Sequence, residues 1–585
     1  IINRNVGKDV NNKLVASLNL NFKINDWLSL QTRGTYDKSQ LSYEKKVYAT
    51  TEATLAPLNG RYIVNETDFT QLYGDVIANI NTQINETTSV SAIIGTSTTR
   101  NTTESLVADS GTNGGLQFAN VFAYQNFNGN PAVNLTQRSL ETRVNSVFAS
   151  ATIGFNDRVF IDLTARNDWT STLPAVNNSF FYPSVGVTGI LSEIFELPKN
   201  VSFAKLRASY AEVGNGFAAD QIAPNNTIIF GGGGVNSQSP IRPFPGSTPK
   251  PERQKSFEIG TEWKFNNNRI GIDLGYYNTK TVDQYYPFST STSIIGAAQA
   301  YLNSGEISNT GIEISAFAIP VQNEDLKWTT TVNFASNKNK IVKIYNGQVL
   351  EGLIEPEFFT LSSKGVNTFG SYLVEGGSFG DIYAQVVRRN ADGLPIIEGD
   401  AVIANDDNTI DGLTKVGNAN PDFTLGWNNS FEYKNFTVDF LIDGKFGGET
   451  MSMTEAIVEG FSNNSSRETS NGTVNVQVDG AATTMSAQDY YGKVGGRNGF
   501  TGEYIYSATN VRLAEFALGY NFNLAENSFF SRIKASLIGN NLFFFHKDAP
   551  HDPNVSLSTG NSLQGVDVLG LPSTRSIGLN LNLTF

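Results

Sequence analysis

Along most of the chain, apolar and polar residues alternate with a period of two. In "LVASLNLNF", Leu14, Ala16, Leu18, Leu20 and Phe22 stand opposite Val15, Ser17, Asn19 and Asn21. Successive side chains of a strand point to opposite faces, so this is the period of a β-strand whose two faces meet different surroundings. After a turn at Asn25 and Asp26, "LSLQTRGTY" alternates again, which predicts a hairpin. The design recurs in "VFASATIGF", the turn Asn156-Asp157 and "RVFIDLTARNDW", where Val159, Ile161, Leu163 and Ala165 oppose Phe160, Asp162, Thr164 and Arg166. In "SFEIGTEWKF" and "RIGIDLGYYNTK", Ile259, Trp263, Phe265, Ile270, Ile272 and Leu274 share the apolar side, and Glu258, Glu262, Asp273 and Tyr277 the polar one. Further hairpins follow to the closing "RSIGLNLNLTF", and the chain holds roughly 16 to 18 such strands.

Connection lengths are as informative as the strands. Short turns alternate with long segments rich in Gly, Pro, Ser and Asn, the longest being 211–253, 282–306, 345–421 and 444–503. Short turns on one side and long loops on the other are the mark of an outer-membrane barrel. A soluble β-protein also alternates, but its polar face meets water and is richer in Lys, Glu and Arg. Here the polar positions are mostly Asn, Ser, Thr and Gly. The pattern predicts an all-β fold, a transmembrane antiparallel β-barrel with long extracellular loops. Trp27 and Trp328 follow short turns and Trp263 precedes one, as an aromatic girdle at the membrane interface requires. Trp169 sits at the far end of its strand, and Trp427 is less clearly placed.

Composition narrows the function classes. With no cysteine among 585 residues, disulfides, thiolate nucleophiles and zinc–thiolate sites are excluded. A net charge of −13 argues against a nucleic-acid partner, since phosphate binding needs clustered Lys and Arg. No run of ~18 apolar residues writes a transmembrane helix. The opening "IINRNVGKDV" has neither an initiator Met nor a signal-peptide pattern and reads as a cut through a longer protein.

Alternation places Asp162, Arg166, Asp168, Glu258, Glu262, Asp273, Glu313, Asn333, Glu432 and Asp439 on the lumen side, where they are expected to satisfy one another and water, or to pair with a plug or guide solute. The long loops carry Phe217, Phe230, Phe244, Tyr285, Tyr286, Phe288, Tyr301, Tyr490 and Tyr491 among amides and hydroxyls, a mixture suited to sugars, peptides or a protein surface. In "GDAVIANDDNTIDG", Asp400, Asn405, Asp406, Asp407, Asn408 and Asp411 offer closely spaced oxygens, with Asp406, Asp407 and Asp411 the candidates for a structural Ca²⁺. The EF-hand order is absent, so a solvated turn is the plainer reading and no cofactor is expected. His551 lies near Asp552 and Ser556, but nothing in the spacing orients a base against a nucleophile, and no enzyme is expected. "FGGGGV" lacks the Lys-Ser/Thr of a phosphate loop.

Several stretches resemble the SusC-like branch of the TonB-dependent outer-membrane transporters. They are "ARNDWTSTLP" with "SFFYPSVGVTGILSE" and "AKLRASYAEVGNG", then "NSGEISNTGIEIS", "VGNANPDFTLGWNNSFEYKNF", and the region from "GNNLFFF" to the end. "HDPN" stands where that family tends to carry Asp-Pro-Glu. The resemblance implies a large plugged barrel of about 22 strands when complete. It further implies that residues 1–585 are barrel, with the plug, the TonB-binding segment and the first strands upstream. A SusD-like lipoprotein lid over the loops, TonB and outer-membrane lipid are the implied partners; whether two such pairs form a dimer is left open. The function implied is active import of an oligosaccharide or peptide. The alternative is a barrel that serves as a docking or structural component, or as a passive channel.

In the closing strand, Ile577, Leu579, Leu581, Leu583 and Phe585 are expected to face lipid. The resemblance implies that the terminal Phe is read by the insertion machinery. Deleting Phe585 is expected to lower the outer-membrane level of the protein, measured by quantitative blotting of fractionated cells; an unchanged level would overturn this role.

Overall fold

The computed structural model describes residues 5–51, 57–111, 114–128, 135–218, 227–231, 234–238, 241–243, 247–289, 299–344, 358–363, 368–461, 472–525, 528–557 and 563–585. The chain divides into two compact units. The first comprises Ile1–Val187, Ser209–Lys255 and Val282–Ser304, the second Thr188–Ala208, Ser256–Thr281 and Gly305–Phe585. Among the described residues, seventeen strands, counted over both units, carry the antiparallel architecture.

The first unit opens with a meander of six long strands, β1 (Val6–Lys23), β2 (Leu28–Val47), β3 (Arg61–Asn85), β4 (Thr88–Asp109), β5 (Leu135–Phe155) and β6 (Val159–Thr170). Each pairs antiparallel with the next. Their turns at 24–27, 86–87 and 156–158 close one end, and the longer connections 48–60 and 110–134 lie at the other. At the β5–β6 turn both Asn156 and Asp157 take positive φ, 51° and 57°, the two-residue geometry whose twist matches the flanking strands.

β7 (Ser179–Ile190), β8 (Val201–Asn215), β9 (Glu252–Phe265) and β10 (Ile270–Val282) each contribute residues to both units. The second unit then holds β11 (Glu306–Gln322), β12 (Leu326–Lys343), β13 (Phe423–Tyr433), β14 (Phe436–Phe446), β15 (Asn510–Phe522), β16 (Arg532–Lys547) and β17 (Ser576–Thr584), again paired in succession. Turns at 323–325, 434–435 and 523–531 occupy one end, and connections 344–422, 447–509 and 548–575 the other.

Register fixes what each face shows. One row across six strands of the second unit reads Trp328, Phe431, Val438, Leu518, Leu537 and Leu579. The next row, one residue along, reads Lys327, Glu432, Thr437, Gly519, Ser536 and Asn580. A slip of one residue in any pair would exchange these faces, so the sharp difference between the rows is what specifies the register. Leu518, Leu537 and Leu579 remain 42%, 51% and 79% exposed, as expected of a face covered by lipid rather than protein.

Apolar cores of the soluble kind form in the long connections instead. Short sheets built from 358–418, 396–486 and 449–567 pack with two helices, α1 (Met453–Phe461) and α2 (Ala487–Val494). Ser486 caps α2 by accepting the Asp489 amide at 3.0 Å. Phe369, Ile382, Met451, Ala456, Tyr504 and Val566 make one buried cluster, and Val387, Ile397, Val476, Tyr490 and Val494 another.

Replacing Leu537 by Arg is expected to destabilise the membrane-inserted fold by about 2–4 kcal/mol, the cost of a cation on the lipid side of a barrel. Asn580→Arg, on the opposite face, is expected to cost under about 1 kcal/mol. Reversible unfolding from lipid bilayers measures both; equal costs would mean that the faces are assigned wrongly.

Candidate functional site: the polar face and its loops

A single row of the first unit gathers Asn19, Arg33, Asp75, Ser97, Ser146 and Asp168 across β1 to β6. The Asp75 side chain has no exposed surface. Its carboxylate accepts from Arg33 Nε at 3.0 Å, from Arg33 Nη2 and from the Tyr73 hydroxyl. Farther along the row, Arg166 Nε donates to Asp168 Oδ1 at 2.8 Å and its Nη2 to Ser146 Oγ at 2.8 Å. The Tyr182 hydroxyl donates to the same Asp168. The guanidinium of Arg166 also lies 5.6 Å from the Phe148 ring centroid. That ring rests on Gly95, where a Cβ would come within 2.6 Å of it. Asp162 accepts from Thr152 Oγ1 at 2.6 Å. The buried charges of the row, Asp75 and Asp168, are each fixed by an arginine and a tyrosine, which offsets their desolvation.

The polar face of the second unit repeats the arrangement. Arg207 grips Asp273 through both terminal nitrogens at 2.8 and 3.0 Å, and Arg512 holds Asp443 at 3.0 and 3.2 Å. Arg207, Asp273, Glu313, Asn333 and Asp443 line a cavity of about 330 Å³, where Ser315 donates to Asn333 at 2.8 Å. Glu262 meets Lys205 at 2.8 Å and Lys264 at 3.0 Å, and Glu432 meets Lys327 at 3.5 Å. Asp439 stands opposite Ser430 on the same face as Glu432, and Glu258 lies in β9.

A larger polar cavity, about 1020 Å³, opens where the ends of β12 to β14 meet the connections. Asn339 Oδ1 accepts from Ser378 Oγ at 3.1 Å and from the Phe379 amide at 2.9 Å. Buried Asp381 accepts from Asn418 Nδ2 at 2.8 Å and from the Ser378 amide at 3.0 Å, and pairs with Lys415 at 2.8 Å. Lys338, Lys340, Asn337 and Asp422 complete the wall. Its groups are amides, ammoniums and carboxylates, which recognise solutes rich in hydroxyls or peptide units.

The predicted loop aromatics take different places. Phe217 and Tyr285 stack at 4.1 Å and Tyr285 and Tyr301 at 4.9 Å, with Phe217 and Tyr285 buried in a cluster of the first unit. Tyr286 donates to Gln284, and burial raises the phenols of Tyr285 and Tyr286 above their ordinary range. Tyr490 is 1% exposed, inside the second loop core, and donates to Glu503 at 3.3 Å. Its ring packs on half-buried Tyr491 at 5.3 Å. Phe217, Tyr285 and Tyr490 therefore hold the loops together and do not lie on an outer contact surface. The side chains of Phe230 and Phe288, and all of Phe244, lie outside the described residues.

In the acidic loop, Asp406 pairs with Arg388 at 3.4 Å, and the Asp407 carbonyl accepts from Asn405. Asp411 sits beside the Tyr372 hydroxyl, whose phenol burial, followed by that carboxylate, pushes up to about 12. Among the described residues, no group of three or more His, Asp or Glu is placed to hold a metal. His551 Nε2 lies 3.0 Å from Thr450 Oγ1, and Ser556 donates to the Leu563 carbonyl. Burial lowers the His551 pKa from its ordinary 6.5. Phe585 packs on Phe529 and Phe530 at 5.4 and 5.2 Å.

The profile of the TonB dependent receptor-like β-barrel family matches residues 2–443. The chain belongs to that family. It is an outer-membrane family of transporters and receptors rather than of enzymes. The TonB-dependent receptor P3 of Formosa agariphila is 26% identical over 500 residues, covering 80% of this chain and 48% of that protein. The TonB-dependent receptor P39 of the same organism is 25% identical over 517 residues, with 80% and 49% covered. The chain thus spans about half the length of these curated relatives. Among solved structures, the RagAB peptide transporter superposes with a TM-score of 0.74 at 18% identity, covering all of this chain and 63% of that one. The RagAB peptide importer in its open-open state gives 0.76 at 17%, with 62% of that chain covered. These likenesses show the fold, a plugged-type β-barrel.

Arg33, Asp75, Arg207, Asp443 and Arg512 were not among the residues singled out from the sequence. Parity could have found them, since Arg33 in "LSLQTRGTY" stands opposite the apolar Leu28 and Leu30. Arg33→Ala in this barrel is expected to cost about 2–3 kcal/mol, below the 3–5 of a wholly buried pair because Arg33 is partly exposed. Replacing both partners, Arg33→Met with Asp75→Leu, is expected to recover most of that loss. Unfolding of the two variants measures it; a double variant no better than Arg33→Ala would refute the buried-charge account.

Proposed function

We propose that the chain forms the membrane wall and loop platform of a TonB-dependent importer that takes up an oligosaccharide or peptide nutrient with a SusD-like surface lipoprotein. The observation that carries this reading is the 1020 Å³ cavity of amides, ammoniums and carboxylates at the loop end of the second unit's strands. A site so placed receives solute from the long-loop side, and fixed polar groups orient a polar oligomer there. The clamped charges on the polar faces then line the solute's route or the surface against which a plug packs. Family membership supports TonB as the energy source, and the RagAB names support peptide as one substrate class. The folded loop layer, with its own buried cores, gives a lipoprotein lid a firm surface to close against.

The test uses the full-length protein in its own outer membrane, with labelled oligopeptides and oligosaccharides as probes. Energised uptake of one class is expected. Joint replacement of Lys338 and Lys340 by Ala is expected to raise the half-saturation concentration about tenfold, the worth of roughly 1.4 kcal/mol of lost charge-assisted contact. Uptake that persists unchanged after collapse of the proton-motive force would make the barrel a passive channel. Absence of uptake, with a lipoprotein still held, would make it a docking component.

A further inference from the structure

Register orders the charges of the first unit by height along its outward face, the face that carries Leu18, Leu20 and Phe22. From the short turns upward, successive rows of that face on β3 to β6 carry Ile153 and Ile161, then Ala151 and Leu163, then Ala78, Ile94, Ala149 and Ala165, then Val76, Thr96, Val147 and Asn167. The next reads Leu18, Gly34, Gly74, Thr98, Asn145 and Trp169. None of these positions is charged. The row above is Ala16, Tyr36, Leu72, Arg100 and Arg143, and Lys38 and Glu141 follow one row higher. Asp68 and Glu104 come only in the row beyond that. The first charges met on leaving the uncharged band are therefore basic, and the carboxylates lie farther out.

Arg100 and Arg143 are direct cross-strand partners. Like charges so placed repel, and nothing in sheet geometry favours the pairing. Arg100 reaches Glu141 at 2.6 Å. Among the described residues, the Arg143 guanidinium has no partner. Twelve residues separate Arg143 from Phe155 at the short-turn end of β5. At ~3.4 Å per residue and a tilt of ~40–45° they rise by about 30 Å, just past the ~25 Å apolar band of a barrel. Tyr36 stands in the same row two strands from Arg100, and Trp169 in the row below on the strand beside that of Arg143, where aromatic residues mark the membrane interface.

We propose that Arg100 and Arg143 form a binding site for the phosphate of an outer-leaflet lipid headgroup. The lipid's chains lie along the uncharged rows beneath, and its phosphate accepts from Arg143 and from the Arg100 nitrogens other than the Nη2 that holds Glu141. Guanidinium forks suit phosphate oxygens, and Arg143 offers all its donors. The site stands apart from the import reading, since it faces lipid and uses no residue of the polar cavity.

The probes are a phosphorylated lipid A, the same lipid with its phosphate removed, and inorganic phosphate. Each is added to the full-length protein purified in neutral detergent, with bound lipid counted by native mass spectrometry and thermal stability followed. The phosphorylated lipid is expected to bind and to raise the melting temperature, the dephosphorylated lipid to bind at least tenfold more weakly. Arg143→Gln, and Arg100→Gln with Arg143→Gln, are expected to lose that difference while energised uptake stays unchanged. Equal binding of both lipids to the native protein, or undiminished selectivity in the single variant, would overturn the site. Inorganic phosphate that reproduced the full stabilisation would assign it to a free anion and overturn the lipid reading.

Discussion

Backbone amides and carbonyls crossing a membrane have no water to satisfy them, so each strand must find a hydrogen-bonding neighbour along its length. The organisation of this protein follows from that constraint. Strands of up to 25 residues pair with the next in sequence, through tight turns at one end and longer connections at the other, because sequential antiparallel pairing is the shortest way to satisfy so many groups. Once pairing is continuous, period two leaves only two faces, and lipid forbids charge on one of them. Every charged residue the protein needs at membrane depth is thereby sent to the other.

That confinement explains the chemistry of the polar face. Arg33, Asp75, Tyr73, Arg166, Asp168 and Tyr182 share it because they have nowhere else to stand, and their burial among one another obliges them to pair. Some pairings run along a strand, as with Arg166 and Asp168 on β6, and others cross strands, as with Arg33 on β2 and Asp75 on β3, Arg207 on β8 and Asp273 on β10, or Asp443 on β14 and Arg512 on β15. A cross-strand clamp also pins register, most strongly at Asp75, since a slipped strand would leave that buried carboxylate without its guanidinium. On the proposed import reading, the same side chains would serve as structural lock and as lining of the solute's route.

The strands, their faces and the inequality of the two ends were legible in the sequence because each depends on residues close together in the chain. "GLNLNLTF" needs no distant partner to show its two faces, and Asn156-Asp157 announces its turn locally. The loop layer was not legible for the opposite reason. Tyr490 is buried by Val387, Ile397 and Val476, and Glu503 meets Arg389 across 114 positions; nothing near Tyr490 distinguishes it from an aromatic left on the surface. Composition alone therefore read core residues such as Tyr285 and Tyr490 as contacts. Likewise, the acidic loop looked dense in the sequence, yet Asp406 and Asp411 turn to different partners, Arg388 and Tyr372.

Two kinds of stability thus meet in one chain. The strands hold by hydrogen bonds and by a lipid-facing surface that cannot be exposed to water, whereas the connections hold by ordinary apolar burial of residues such as Met451 and Val494. Because the second kind does not require the membrane, loop sequence can drift without disturbing the wall, provided that the anchoring contacts survive. Those anchors are polar: Asn339 receiving Ser378 and Phe379, and Asp381 receiving Asn418 and Lys415. Their position at the strand ends, around the large polar cavity, means that a solute bound there touches the very groups that join loop to wall. On the proposed import reading, binding and loop anchoring would therefore be coupled, since a solute that competed for Asn418 or Lys415 would also loosen the contact that positions the loop.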